Sequence, residues 1–221
     1  MIKPTLLLFM VIVSLQLGCS GPSRDTETLP ILGNKYAEEK FINGDTLIDT
    51  VYHQIAPFKL VNQDGDTVTN ETVKGKVYVA DFFFTSCPTI CPIMKKEMLR
   101  VYEKFENSPD FKILSHTIDP EYDSVALLKD YALRLGIENS KTWNFLTGDQ
   151  EQIFELGQTS YLTTAMENKN EPGGFLHSGA FVLVDQSGRI RGVYDGTKEK
   201  QVNRLINDIP KLLKKDGVKN N

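Results

Sequence analysis

Cationic excess, repeats and the usual catalytic signatures are all missing from this chain. Its 221 residues carry 25 Lys and Arg against 29 Asp and Glu, a formal net charge of −4. No basic stripe breaks that balance, so no nucleic-acid partner is expected. There is no internal repeat, phosphate-cradling glycine loop or Ser/His/Asp signature, which argues against solenoids, nucleotide enzymes and triad hydrolases. Cysteine and histidine occur only three times each. That scarcity makes their positions informative.

The first cysteine belongs to a targeting pattern. Lys3 supplies a short positive region, and the apolar run Leu6 to Leu17 is too short to span a bilayer. Gly18-Cys19 follows, similar to a bacterial lipoprotein processing site, although Gln16 stands where a leucine is usual. The expectation is a signal peptide over 1–18, lipidation of Cys19, and a domain held outside the cytoplasm at a membrane surface, facing the periplasm. Residues 19–30 read as a polar tether and 215–221 as a polar tail.

The remaining pattern predicts one α/β domain over 55–214, preceded by an extension over 31–54. In that extension Tyr36–Phe41 and Thr46–Tyr52 flank Asn43-Gly44-Asp45, a hairpin pattern. Phe58–Val61 and Thr67–Thr69 form a second strand pair around a turn. The strand Val77–Phe84 is apolar on both faces, so it should be covered on both sides. Then come a helix near Ile90–Phe105, a strand Phe111–Ile118, and a helix Ser124–Leu135 with Asp123 as its expected N-cap. A strand at Trp143–Leu146 and a short helix near Gln150–Leu156 follow. The stretch Gln158–Leu176 shows no period and reads as a long loop. It delivers His177 to a closing strand pair, Gly179–Val184 and Arg189–Tyr194, and a helix Lys198–Lys214. This order predicts a central mixed sheet flanked by helices.

The chemistry concentrates in Phe82-Phe83-Phe84-Thr85-Ser86-Cys87-Pro88-Thr89-Ile90-Cys91-Pro92. A strand ends at a cysteine pair that opens a helix, where free N–H groups and the helix dipole favour thiolate. Prolines loosen the first turn enough for the sulfurs to bond. Two thiolates with an open third position suit Cu(I). The same pair suits disulfide exchange. Asp81 is a carboxylate in an otherwise apolar strand, six residues before Cys87, placed to exchange a proton with the thiols. Asp119 falls at the carboxyl end of the next strand, on the edge that lines binding crevices in such sheets. Met94 and Met98 read as core, His116 as packed within its strand, and His53 as surface or packing.

With those residues in view, the chain resembles the Sco/SenC family of thioredoxin-fold proteins. The resemblance lies in Phe84-Thr85-Ser86-Cys87-Pro88-Thr89-Ile90-Cys91-Pro92, His177-Ser178-Gly179-Ala180 and Asp119-Pro120, and covers roughly Ile55 to Leu213. It implies a metallochaperone that binds Cu(I) or Cu(II) through Cys87, Cys91 and His177. The implied partner is the copper-bearing subunit of cytochrome c oxidase or another copper-receiving protein. The alternative is a thiol–disulfide oxidoreductase that reduces a partner's cysteines through Cys87 and Cys91. Thr89 stands where many relatives carry an acid. A monomer is the default expectation.

Overall fold

The structure is a computed structural model that describes residues 28–42 and 45–213. The expected signal segment, Cys19, most of the tether, positions 43 and 44 of the hairpin turn and the tail lie outside the described residues. Lys35–Ile42 (β1) pairs antiparallel with Asp45–Tyr52 (β2), with Lys35 opposite Tyr52, as a separate two-stranded sheet. Tyr36, Phe41, Leu47 and Ile48 of this hairpin are exposed.

The rest of the strands build one sheet and a small second hairpin. Lys59–Asn62 (β3) and Thr67–Thr69 (β4) lead through a single helical turn, Asn70–Val73 (α1), to the central strand Val77–Phe83 (β5). Cys91–Phe105 (α2), Phe111–Thr117 (β6), Val125–Arg134 (α3) and Trp143–Thr147 (β7) follow. Gln150–Glu155 (α4) runs into a π-helical turn, Leu156–Ser160. Ala165–Glu167 (β8) and Phe175–His177 (β9) pair antiparallel. Ala180–Val184 (β10), Ile190–Asp195 (β11) and Glu199–Leu213 (α5) close the chain. The seven-stranded order is β11-β10-β5-β6-β7-β3-β4, parallel only across β5, β6 and β7. This is the expected α/β class.

Both faces of β5 are buried along its whole length, as its double apolar pattern requires. On one face Phe83 meets Tyr131 of α3, and Lys95 of α2 reaches Asp81. On the other, Phe82 stacks on His116 at 4.9 Å, and Tyr161 closes over both. Met94 and Met98 are fully buried core residues. Before β1, the Leu32 N–H donates to the Ile190 carbonyl at 2.8 Å, and the Arg191 Nε–H donates to the carbonyls of Leu29 and Pro30. That short segment covers the start of the edge strand β11.

Two expectations change. The stretch Gln158–Leu176 is not a structureless loop; it holds most of the π-turn and the β8–β9 pair, elements too short to give a period. Asp123 is not the N-cap of α3. Ser124 takes that place, its hydroxyl oxygen accepting from the Leu127 N–H, while Asp123 turns inward and is fully buried.

His116 is also fully buried, and burial pushes its imidazole down from 6.5 to about 4. Its Nδ1–H donates to the Asp81 carbonyl at 3.3 Å, and Nε2 has no partner among the described residues. The folded protein therefore holds the neutral ring while the unfolded chain takes up a proton below pH 6.5. Stability from this group is complete above pH 6.5 and falls as pH drops toward 4, by roughly 3 kcal/mol in total. In His116→Phe, the decline of unfolding free energy between pH 6.5 and 4.5, measured by urea titration, should flatten by about 2 kcal/mol.

Candidate metal centre

The site grows from the carboxyl end of β5. Phe84 leaves the strand, and the Cys87 N–H turns back to the Phe84 carbonyl at 3.3 Å, closing a tight loop. Asp123 holds that loop from below. Its carboxylate accepts from the Thr85 N–H at 3.1 Å and from the hydroxyls of Thr85 and Thr117. α2 then begins at Cys91, with Pro92 in its first turn, where a missing N–H costs nothing.

His177 arrives from the opposite side, at the end of β9. The pairing of β9 with β8 and the Ser178 N–H donating to the Thr164 carbonyl at 3.0 Å fix its height. Phe84 packs edge-on against the imidazole, with ring centroids 5.8 Å apart, and also meets Phe175. Gly173 turns the chain at φ +88°, and a Cβ there would stand 2.7 Å from the Phe84 ring, so only glycine fits without displacement.

His177 Nε2 sits 3.4 Å from Cys91 Sγ and 3.9 Å from Cys87 Sγ. These three ligand atoms lie within 4.8 Å of one another, and all three residues are buried. The sulfurs are not bridged. Atoms sharing one ion at bond lengths near 2.0–2.3 Å stand roughly 3.5–4 Å apart, so the spacing fits one soft cation. The donor set fits as well: two sulfurs and one imidazole suit Cu(I). His177 Nδ1 has no hydrogen-bond partner among the described residues.

The two thiols differ. Cys87 is lowered by the hydrogen bond that Cys91 gives it, with further help from His177 and the backbone N–H groups of Thr89 and Cys91. Cys91 is raised, because it supplies that proton and is more deeply buried; the charge of Lys95 opposes the rise. Of the two, Cys87 is the sulfur more ready to ionise. A cleft of about 220 Å³ opens over Cys87 and His177; Phe84, Ile90, Pro172, Phe175 and Leu176 give it apolar walls, and Thr89 and Glu171 add polar ones.

The other residues singled out in the sequence have the following surroundings. Asp81 bonds Lys95 at 2.7 Å and the Ser115 hydroxyl, and makes no bond to either cysteine. The Asp119 carboxyl is raised by partial burial and by the Asp123 charge, and Asp119 is not among the three clustered residues. The His53 Nε2–H donates to the Ser160 carbonyl at 2.7 Å. Sequence reasoning missed Asp123 and Lys95. A lysine between Met94 and Met98 on a buried helix face was the signal for the second; nothing local marked the first.

A mixed thioredoxin-like sheet with a dithiol loop at its centre and a facing histidine defines a thioredoxin-fold protein with a soft-metal or redox site. Residues 49–214 match the family described as SCO1/SenC, and the chain belongs to it. It is 34% identical to the SCO1 protein homolog of Bacillus subtilis, over 75% of this chain and 86% of that one. Among solved structures it is similar to a SCO1/SenC family lipoprotein from Bacillus anthracis, with 31% identity, 73% and 95% coverage and a TM-score of 0.66. BsSco, a member of the Sco family of cytochrome c oxidase assembly proteins with a disulfide switch, gives 33% identity, 72% and 93% coverage and a TM-score of 0.64. The copper-bound ScoI of Bradyrhizobium japonicum gives 25%, 71% and 98%, and 0.59.

Asp123→Asn leaves the shape of the loop anchor but removes its charge. It should lower stability by about 1–3 kcal/mol, read as a lower urea midpoint at unchanged slope.

Proposed function

We propose that this protein is a copper carrier that holds Cu(I) or Cu(II) as cargo through Cys87, Cys91 and His177. The observation that carries this reading is the convergence of two sulfurs and one imidazole nitrogen within 4.8 Å. The copper-bound relative supports it. The bound ion is the cargo, and the sulfurs supply its soft ligands. This chain's own residues do the rest. Asp123 fixes the loop that carries Cys87, and the β8–β9 hairpin sets the imidazole. Burial leaves Cys87 only 8% exposed. Handover then requires only that the short hairpin shift, because withdrawing His177 lowers the ligand count without disturbing the sheet.

The recipient we assign is the copper-bearing subunit of cytochrome c oxidase, supported by the oxidase-assembly role of BsSco. We assign Cys19 as a lipid attachment point and the cell envelope, with the domain facing the periplasm, as the location. The Gly18-Cys19 pattern and the lipoprotein relative support this assignment. A second reading, reduction of a partner's disulfide by Cys87 and Cys91, is favoured by the unbridged sulfurs and the lowered Cys87 thiol.

Purified protein should carry one copper. Cys87→Ser or Cys91→Ser should abolish retention during dialysis, and His177→Ala should leave a weaker complex, about tenfold or more down in affinity. Metal analysis and chelator competition read the result; unchanged stoichiometry in all three variants rejects the site. Turnover of a disulfide-bonded peptide that bears the partner's cysteines, without copper, would favour the second reading.

A further inference from the structure

We propose that one face of the β1–β2 hairpin rests on a lipid bilayer and holds the domain with its sulfur and imidazole cleft turned to the aqueous side. The bilayer as occupant rests on the lipid assigned above to Cys19; the uncovered face does not.

The register sorts the hairpin into two faces. Glu38, Lys40 and Asp49 share one, where Lys40 Nζ donates to Asp49 Oδ2 at 2.6 Å and lies 3.6 Å from Glu38 Oε2. Ala37, Phe41, Thr46, Ile48 and Thr50 share the other, interrupted by Glu39. Phe41 is 77% exposed and Ile48 73%, more than any other large apolar side chain among the described residues. The register makes these two diagonal neighbours, about 7–8 Å apart. A lone two-stranded ribbon is marginal in water, and this one makes no strand pairing with the main sheet.

The base of the ribbon is nonetheless fixed. The His53 N–H donates to the Asn34 carbonyl at 2.9 Å, and its Nε2–H to the Ser160 carbonyl at 2.7 Å. The Arg189 guanidinium lies 5.0 Å from the centroid of the Tyr52 ring. Gly33 turns the chain at φ +97°, and a Cβ there would stand 2.7 Å from His53 Cβ. So held, the ribbon projects and leaves its apolar face off the domain.

Chain length points to the occupant. Cys19 lies nine residues before Thr28, where the described chain begins, a span of at most about 32 Å. The ribbon starts seven residues after Thr28 and is itself about 27 Å long. A bilayer that takes the lipid is therefore within reach of Phe41 and Ile48. A second copy fits less well. The face covers roughly 300 Å², against the ~800 Å² that each partner gives to a stable interface. Both strand edges also carry charge, Glu38, Glu39 and Lys40 on β1 and Asp45 and Asp49 on β2, which discourages pairing with another chain.

The base sets the stance of the domain. Gln54 Nε2 donates to the Ser187 carbonyl at 3.0 Å, and the Ile55 N–H to the Gly188 carbonyl at 2.9 Å. Ser187 and Gly188 lie in the turn between β10 and β11, at the end of β10 away from His177. A ribbon rooted there meets the bilayer behind the sheet, and the cleft over Cys87 and His177 stays clear of lipid.

The test uses the full-length chain in vesicles of zwitterionic phosphatidylcholine, because the ribbon carries four acids against two lysines. Mass spectrometry of the same preparation reads the lipid on Cys19. Trp143, the one native tryptophan, is fully buried and supplies a constant background. Phe41→Trp puts a reporter on the apolar face, and Tyr36→Trp puts one on the charged face. With acyl chains brominated near the headgroup, the Phe41→Trp emission should shift to shorter wavelength and lose about half its intensity, since an interfacial side chain sits about 5–10 Å into that boundary. The Tyr36→Trp emission and that of the parent should be unchanged. Lipidated protein with an unquenched Phe41→Trp signal overturns the inference and leaves the anchor standing. Equal quenching of both reporters overturns it too, because closeness to the bilayer alone explains that result. A shift that bromine does not quench and that grows with protein density assigns the face to a second copy and also overturns it. Quenching on a chain whose Cys19 is unmodified keeps the hairpin contact and removes the anchor; unmodified Cys19 without quenching removes both.

Discussion

Three elements are pinned at one carboxylate. Asp123, just before α3, accepts from Thr85 beyond β5 and from Thr117 at the end of β6. β5 and β6 stay paired as far as Phe83 and Ile118, and the loops that leave them have no ladder to hold their backbone groups. A single buried acceptor replaces that ladder. Because Thr85 stands two residues before Cys87, the same bonds that close the sheet end also set the height of the first sulfur. The histidine faces a target whose position is already fixed.

The site is thus assembled from two kinds of constraint. The sulfur side is rigid, built on a fully buried strand and a helix whose first turn begins at Cys91. The imidazole side is lighter, a pair of three-residue strands joined through Gly173 and Gly174 at positive φ. Few hydrogen bonds span such a hairpin, so moving it costs less than moving the sheet. Such a centre has one stiff wall and one lighter wall that can shift without disturbing the sheet.

Much of this was legible from residue types. The strand Val77–Phe84 showed its two-sided burial in a run apolar on both faces apart from Asp81, and the cysteine pair marked the start of α2. His177 stood just before the penultimate strand, and the chain order brought it to the same sheet edge as the sulfurs. The region between Gln158 and Leu176 was not legible, because two three-residue strands and a π-turn carry no period. Asp123 was misassigned for a related reason: an acidic residue ahead of a helix suits an N-cap, and only tertiary contacts with Thr85 and Thr117 reveal its other use. Asp81 looked available to the thiols because its partner, Lys95, lay fourteen residues away on another element.

The segment Leu29–Leu32 fastens to the beginning of β11, beside the turn that follows β10. β10 starts beside His177 and runs antiparallel to β5, so that turn lies at the pole remote from the sulfurs. A pull from the preceding chain therefore loads the sheet at its back and is spread along β10 and β11 before it reaches the front. Tension on the preceding chain and movement of the β8–β9 hairpin act at opposite ends of the same slab, and neither has to yield for the other.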